Sequence, residues 1–65
     1  MKLIVNGKSL DTATSTLEEL LVELNIPVDA IAVAIRHQVI RRGEYADTQL
    51  SEGIEVEILS PQQGG

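Results

Sequence analysis

The sequence predicts an α+β fold in which a mixed sheet of four to five strands carries one helix packed on one face. Three features favour it: an Asn-Gly pair after a short apolar run, a leucine-rich segment at helical spacing, and a strictly alternating segment near the end. A hairpin followed by a helix and further strands forms such a layered arrangement. We expect the first and last strands to lie parallel in one sheet, because a helix can connect parallel strands.

Residues 3–10 are predicted to form a β-hairpin that turns at Asn6-Gly7. Both turn residues tolerate the positive φ angles that a two-residue hairpin turn requires. Such a turn pairs Leu3 with Leu10 and places both on one face of the sheet, with Ile4 on the other face. The hairpin therefore presents Leu3 and Leu10 to the core.

The segment that begins near Thr16 is predicted to be the helix. Four leucines recur there at helical spacing: Leu17, Leu20, Leu21 and Leu24. Ser15 and Thr16 each stand three residues before a glutamate, so either residue can form a capping box. The helix should end near Asn25, because Pro27 disfavours helical conformation in the residue before it.

Residues 31–35 alternate large and small apolar side chains, which predicts a buried or half-buried strand. Arg36-His37-Gln38 are predicted to form a turn, and residues 39–40 a short return strand. The next stretch is polar, with Tyr45 as its expected anchor in the core.

The last strand is the clearest in the sequence. Ile54, Val56 and Ile58 alternate with two glutamates and Leu59. This alternation is typical of a strand with one face in the core and one face exposed. By the same alternation Leu59, like Ile4, should point away from the helix.

Composition limits the partners and the compartment. The chain has 65 residues, enough for one small core, which we place in residues 1–60. It contains no cysteine, so disulfides and thiolate metal sites are excluded. Its net charge of −5 disfavours nucleic acid, whose phosphates would repel it. No apolar run is long enough to span a membrane, so we expect a cytoplasmic protein without a membrane partner. The single histidine, His37, predicts no metal or catalytic site.

Residues 61–65 are predicted to form a flexible tail that ends in Gly64-Gly65. Pro61 cannot donate a sheet hydrogen bond, so the last strand should stop before it. Because glycine lacks Cβ, the tail is slim enough to carry the terminal carboxylate into a narrow cleft of another protein. From these residues alone, a frayed terminus without function is an equally good interpretation.

The chain resembles the ubiquitin-like β-grasp sulfur carriers of the MoaD/ThiS family, most closely the ThiS carriers of thiamine biosynthesis. The resemblance covers nearly the whole chain and includes the segment Thr16-Leu17-Glu18-Glu19-Leu20-Leu21, the segment Leu50-Ser51-Glu52-Gly53 and the terminal Gly64-Gly65. Departures occur at Arg36-His37-Gln38, where the family often has Asn-Gly, at Tyr45, where it often has Trp, and at Ile54, where it often has Asp. They bear on the choice of partner more than on the fold.

The resemblance implies a carrier that is not itself an enzyme and binds no cofactor. A ThiF-like adenylating enzyme, related to the ubiquitin-activating enzymes, would use ATP-Mg to adenylate the Gly65 carboxylate. Persulfide sulfur from a cysteine desulfurase would then displace AMP and leave a thiocarboxylate. A ThiG-like thiazole synthase would take that sulfur. Gly64, Gln63 and Gln62 would enter the partner's cleft, and Gly65 would be the modified residue.

A docking surface is expected beside the tail. Leu59 and Ile4 should lie on the face away from the helix, where they can seed an apolar patch of the kind that marks interfaces. Arg41 and Arg42 belong to a small group of arginines in an otherwise acidic chain, and arginine is enriched at interfaces.

Three other functions are compatible with the same residues. The first is a sulfur carrier for molybdopterin, cysteine or tRNA thiolation. The second is a ubiquitin-like modifier joined through Gly65 to lysine amines of other proteins. The third is a binding module whose tail has no chemical role.

Overall fold

The computed structural model describes residues 1–59, which contain five strands and one α-helix. Their bounds in chain order are β1 (Lys2–Val5), β2 (Lys8–Asp11), α1 (Leu17–Glu23), β3 (Ala32–Ile35), β4 (Gln38–Ile40) and β5 (Glu55–Leu59). Two short 3-10 helices, Val28–Ala30 and Arg42–Asp47, lie in the connections before β3 and after β4. The sequence did not predict these two 3-10 helices.

The strands form one mixed sheet in the order β2-β1-β5-β3-β4. The central pair, β1 and β5, is parallel, and the other three pairs are antiparallel. The expected parallel arrangement of the first and last strands is therefore confirmed. The hairpin register is confirmed as well, because Leu3 pairs with Leu10.

The core lies between α1 and one face of the sheet. The helix contributes three fully buried leucines: Leu17, Leu20 and Leu21. The sheet contributes alternate residues of its strands: Leu3, Val33, Ile35 and Val56. Burying one such side chain stabilises the fold by about 1.5–3 kcal/mol. Tyr45, which is 4% exposed, completes the core from the second 3-10 helix, as predicted.

The ends of α1 are fixed by local hydrogen bonds. Of the two possible capping boxes, the one formed is Thr16 with Glu19: each side chain accepts a hydrogen bond from the other's backbone N–H. At the C-terminus Asn25 takes a left-handed φ of 58°. The N–H groups of Asn25 and Ile26 donate to the carbonyls of Val22 and Leu21, a Schellman motif that ends the helix.

Both hairpins turn on two residues with positive φ. In the first hairpin they are Asn6 at 50° and Gly7 at 83°; in the second they are Arg36 at 54° and His37 at 67°. The second turn is one residue shorter than predicted, because Gln38 already pairs with Ile35 as the first residue of β4.

The two turns differ in energy because only the first is the Asn-Gly pair that this turn type prefers. Left-handed backbone costs a residue with Cβ about 1–2 kcal/mol. Asparagine and histidine adopt it more often than other such residues, so most of the strain in the second turn falls on Arg36. The nearest carboxylate to His37 is that of Glu57, with Nδ1 and Oε1 3.9 Å apart. An exposed pair of this kind contributes about 0–1 kcal/mol, which does not offset the strain.

Candidate functional site

Strand β5 leads the chain toward the candidate tail. Leu59, its last residue, is also the last residue that the structure describes. The predicted tail residues Gln62, Gln63, Gly64 and Gly65 lie outside the described residues. The part of the site that the structure defines is therefore the base of the tail, formed by the end of β5 and its neighbours.

Asn6 holds the end of β5 on one side. The register between β1 and β5 ends at Val5 and Val56, where β1 turns away into the hairpin. The Asn6 backbone N–H donates to the Val56 carbonyl at 2.9 Å. Its side chain then takes the place of a strand residue: Oδ1 accepts from the Ile58 N–H at 2.7 Å, and Nδ2 donates to the Ile58 carbonyl at 3.1 Å. We call this pair of bonds the Asn6 clamp.

Strand β3 holds the other side of β5 to its last residue. The pairing runs from Ile35 with Val56 to Ala32 with Leu59. Ile58 is thus held by β3 on one side and by the Asn6 clamp on the other. The described end of β5 is consequently held on both sides.

The sheet face away from α1 carries an apolar patch next to this point. Alternation along the strands places on that face Leu59, Ala32, Ala34 and Val39, which we call the open-face patch. Glu57, which pairs with Ala34, lies on the same face and borders the patch. Leu59 is 61% exposed and Val39 is 74% exposed. These two side chains are therefore available to a partner, and the small side chains of the two alanines between them project little above the sheet.

Ile4 lies on the same face as Leu59, as the alternation predicted, but the two residues are not neighbours. Ile4 is half-buried and pairs with Glu55, at the opposite end of β5. Four residues along a strand separate Glu55 from Leu59, or about 13 Å. The apolar neighbours of Leu59 come from β3 and β4 instead.

Arg41 and Arg42 follow directly after β4. Arg41 is exposed and extended, and it continues the strand from Ile40, which pairs with Val33, toward the level of Ala32 and the tail base. Arg42 turns instead to Asp29, with a separation of 2.7 Å between Nη2 and Oδ1. Of the two, Arg41 has no ion pair within the described residues.

The described residues contain no group of three or more histidine, aspartate or glutamate side chains placed to hold a metal ion. In residues 1–59 no helix has the length and apolar character needed to cross a membrane. What residues 1–59 offer is a surface beside an anchored strand end, a geometry that suits presentation of the tail to another protein.

The profile of the ThiS family matches residues 3–65. The chain belongs to the ThiS family. The crystal structure of the thiamine biosynthesis protein ThiS from Geobacter metallireducens is similar, with a TM-score of 0.84 and 28% identity over 92% of this chain and 93% of that one. An NMR structure of a thiamine biosynthesis protein from the same organism gives a TM-score of 0.75 and 33% identity, over 91% of this chain and 81% of that one. No curated protein matches significantly.

These similarities confirm the resemblance to the ThiS sulfur carriers and the ubiquitin-like β-grasp fold. The roles expected for the tail glycines and glutamines, and for Ile4, Leu59, Arg41 and Arg42 in docking, stay predictions. Sequence reasoning missed the Asn6 clamp and the exposure of Val39. The only signal for the clamp was an asparagine at a left-handed turn position, which predicts the turn but not where the side chain binds.

Proposed function

We propose that this ThiS-family chain carries sulfur for thiazole formation in thiamine biosynthesis, with the sulfur held as a thiocarboxylate on Gly65. The observation that supports the proposal is the family match, which extends to residue 65 and so includes both glycines. The 33% identical relative from Geobacter metallireducens is a thiamine biosynthesis protein, which favours this pathway over other sulfur-carrier pathways.

The chemistry requires activation, because a free carboxylate is a poor acyl donor. A carboxylate oxygen of Gly65 attacks the α-phosphorus of ATP-Mg on a ThiF-like adenylating enzyme, and pyrophosphate leaves. The terminal sulfur of a persulfide, supplied by a cysteine desulfurase, attacks the acyl carbon, and AMP leaves. A partner thiol then cleaves the sulfur–sulfur bond, which yields the thiocarboxylate and a disulfide. A ThiG-like thiazole synthase accepts the sulfur.

In this scheme the chain is a co-substrate and not an enzyme. It supplies a carboxylate, a slim tail and a docking surface, whereas the partner holds ATP-Mg and the reactive thiols. The absence of cysteine from the sequence supports this role, since the carrier has no thiol that could divert the acyl group. We place the exchange in the cytoplasm with these partner enzymes.

Docking is assigned to the surface at the tail base. The open-face patch provides apolar contact area, and Arg41 provides a cation beside it without an ion pair in residues 1–59. Apolar area with a neighbouring arginine is the composition that protein interfaces favour. Arg42 and Ile4 lie further from this centre, the first paired with Asp29 and the second level with Glu55.

The proposal is tested by the sulfur content of the C-terminus. The purified chain, ending at Gly65, is incubated with ATP-Mg, a cysteine desulfurase with cysteine, and the adenylating enzyme of its own cells. It is then alkylated with iodoacetamide and fragmented in a mass spectrometer. Intact mass alone is ambiguous, because oxidation of Met1 adds nearly the mass that sulfur-for-oxygen exchange adds. Since the chain has no cysteine, an adduct on Gly65 identifies acyl sulfur.

We expect that adduct in the wild-type chain and none in a variant that lacks Gly64 and Gly65. Transfer of the sulfur to thiazole by thiazole synthase would then establish the pathway. A wild-type chain that stays unalkylated under these conditions contradicts the proposal. If Gly65 is instead joined to lysine amines of other proteins, the result would favour the ubiquitin-like modifier.

A further inference from the structure

The tip of the second hairpin places an arginine, Arg36, in a backbone conformation that is unfavourable for it. Arg36 and His37 both have left-handed φ angles, although Asn6-Gly7 in the same chain forms the equivalent turn without that strain. The His37 side chain is 85% exposed, and its nearest carboxylate, on Glu57, is 3.9 Å away. Arg36 is exposed and makes no ion pair within residues 1–59. Contacts inside the described fold therefore do not explain why these two residues occupy the turn.

Most of the positive charge of the molecule lies in the same hairpin. Residues 30–43, which we call the basic hairpin, contain three arginines and no carboxylate, a formal charge of +3. The remaining residues hold all ten carboxylates and two lysines, a formal charge of −8. Such asymmetry orients a protein as it approaches a charged partner. Arg42 is paired with Asp29 just outside this hairpin, so Arg36 and Arg41 are the arginines that can attract an acidic surface.

The position of the tip shows which kind of contact it can make. Ile35, directly before the turn, pairs with Val56, whereas the described part of β5 ends at Leu59. Three residues of strand, or about 10 Å, separate these levels. We therefore assign a group bound at Arg36 and His37 to docking, at a level about 10 Å from the last described residue of β5.

We propose that Arg36 and His37 bind carboxylates on the surface of the adenylating enzyme, an inference that rests on the proposed function. A guanidinium forms two parallel hydrogen bonds with a carboxylate, and a neighbouring imidazole adds a further donor. Phosphates of nucleic acid would also bind these groups, but the −8 charge on the remaining residues opposes a polyanion. The strained turn holds the two side chains adjacent at the tip.

The test replaces the strained turn with the turn that the first hairpin uses. The double variant Arg36→Asn/His37→Gly keeps the two-residue loop and removes both donors. The matched control is Lys8→Asn, which removes one exposed cation directly after the first turn. For each protein, adenylation of Gly65 is followed by ATP–pyrophosphate exchange over a range of carrier and salt concentrations, and the Tm is measured.

We expect the double variant to raise KM for the carrier about tenfold and to change kcat by no more than about twofold. This is the result expected when the lost contacts stabilise the bound carrier and the transition state equally. Its Tm should rise by about 5 °C or more as the strain is relieved. Added salt should raise KM for the wild type more than for the double variant. Lys8→Asn should leave KM unchanged.

Unchanged KM in the double variant would overturn the inference, since the turn residues would then play no part in docking. A lower Tm would overturn it too, because the two residues would then be explained by the fold itself. Both results differ from failure of the proposed function, which would appear as absence of adenylation in the wild-type chain. In that case this inference would fail as well.

Discussion

Asn6 both turns the first hairpin and holds the end of β5. Its left-handed backbone turns the first hairpin, and this turn directs the amide group toward β5 and not along β1. There the amide presents one acceptor and one donor, the same pair of groups that a strand residue would offer to Ile58. A residue 52 positions away in sequence is thereby fixed one step before the end of the last strand.

We expect Asn6→Gly to release the end of β5 while leaving the turn intact. Glycine keeps the positive φ but has no amide, so the fold loses two hydrogen bonds that contribute together about 1–2 kcal/mol. The free energy of unfolding should fall by that amount, and the Ile58 amide should exchange with solvent faster. Both are measured by denaturant unfolding and by hydrogen exchange followed by NMR.

The informative control for the clamp is Asn6→Asp. A carboxylate still accepts from the Ile58 N–H but cannot donate to its carbonyl, so protection of the Ile58 amide should largely remain. Equal protection of that amide in the wild type and in Asn6→Gly would show that pairing with β3 alone holds the end of β5.

At the scale of elements, α1 depends on its ends. With seven residues it is too short to be stable by itself, so buried leucines and caps must hold it. The Glu19 carboxylate accepts from the backbone N–H groups of Ser15 and Thr16 and from the Ser15 hydroxyl. These bonds, the Ser15 backbone bond first, hold the pKa of Glu19 below its ordinary value of 4.5.

This shift gives α1 a defined pH dependence. Because the folded pKa is depressed, the stabilisation is complete above the unfolded value of 4.5 and is lost as pH falls through the folded pKa. We expect Glu19→Gln to lower Tm at pH 7 and to reduce the further loss of Tm between pH 5 and pH 3. Glu18→Gln, one residue away on the exposed side of the helix, is the control. Parallel Tm–pH curves for the wild type and Glu19→Gln would exclude this contribution.

The elements were predictable where a periodic pattern or a turn dipeptide specified them. Alternating Ile and Val residues defined β3 and β5, and Asn6-Gly7 fixed the register of the first hairpin. The two 3-10 helices have no such periodicity, and only the buried Tyr45 marked the second one. The turn at Arg36-His37-Gln38 was predicted, but not that it uses only two residues, because Arg-His is not among the pairs that such turns prefer.

The site was less predictable than the fold because it depends on register between distant segments. Alternation correctly placed Ile4 and Leu59 on one face, but it contains no information on how far β5 extends past β1. That offset separates Ile4 from the tail base and brings Ala32 to Leu59 instead. The partner of the Asn6 amide follows from the same offset and could not be predicted before it was known.

At the scale of the whole molecule, the two faces of the sheet have separate tasks. One face packs on α1 and stabilises the fold, and the other carries the open-face patch beside the last described residue of β5. A substitution on the exposed face can therefore change binding with little effect on folding. This separation allows the docking surface to be tested with a single exposed residue.

We expect Leu59→Asp to weaken docking to the adenylating enzyme. Leu59 is 61% exposed, so the fold should tolerate the change, whereas a carboxylate buried against an apolar partner surface is strongly unfavourable. KM for the carrier in ATP–pyrophosphate exchange should rise about tenfold or more, equivalent to about 1.4 kcal/mol of binding free energy. Val22→Asp is the matched control, since Val22 is 74% exposed but lies on α1, the helix that covers the other face of the sheet. If both variants keep the wild-type KM and Tm, docking does not use the open face. If KM rises equally in both variants, the added charge and not the position of Leu59 is responsible.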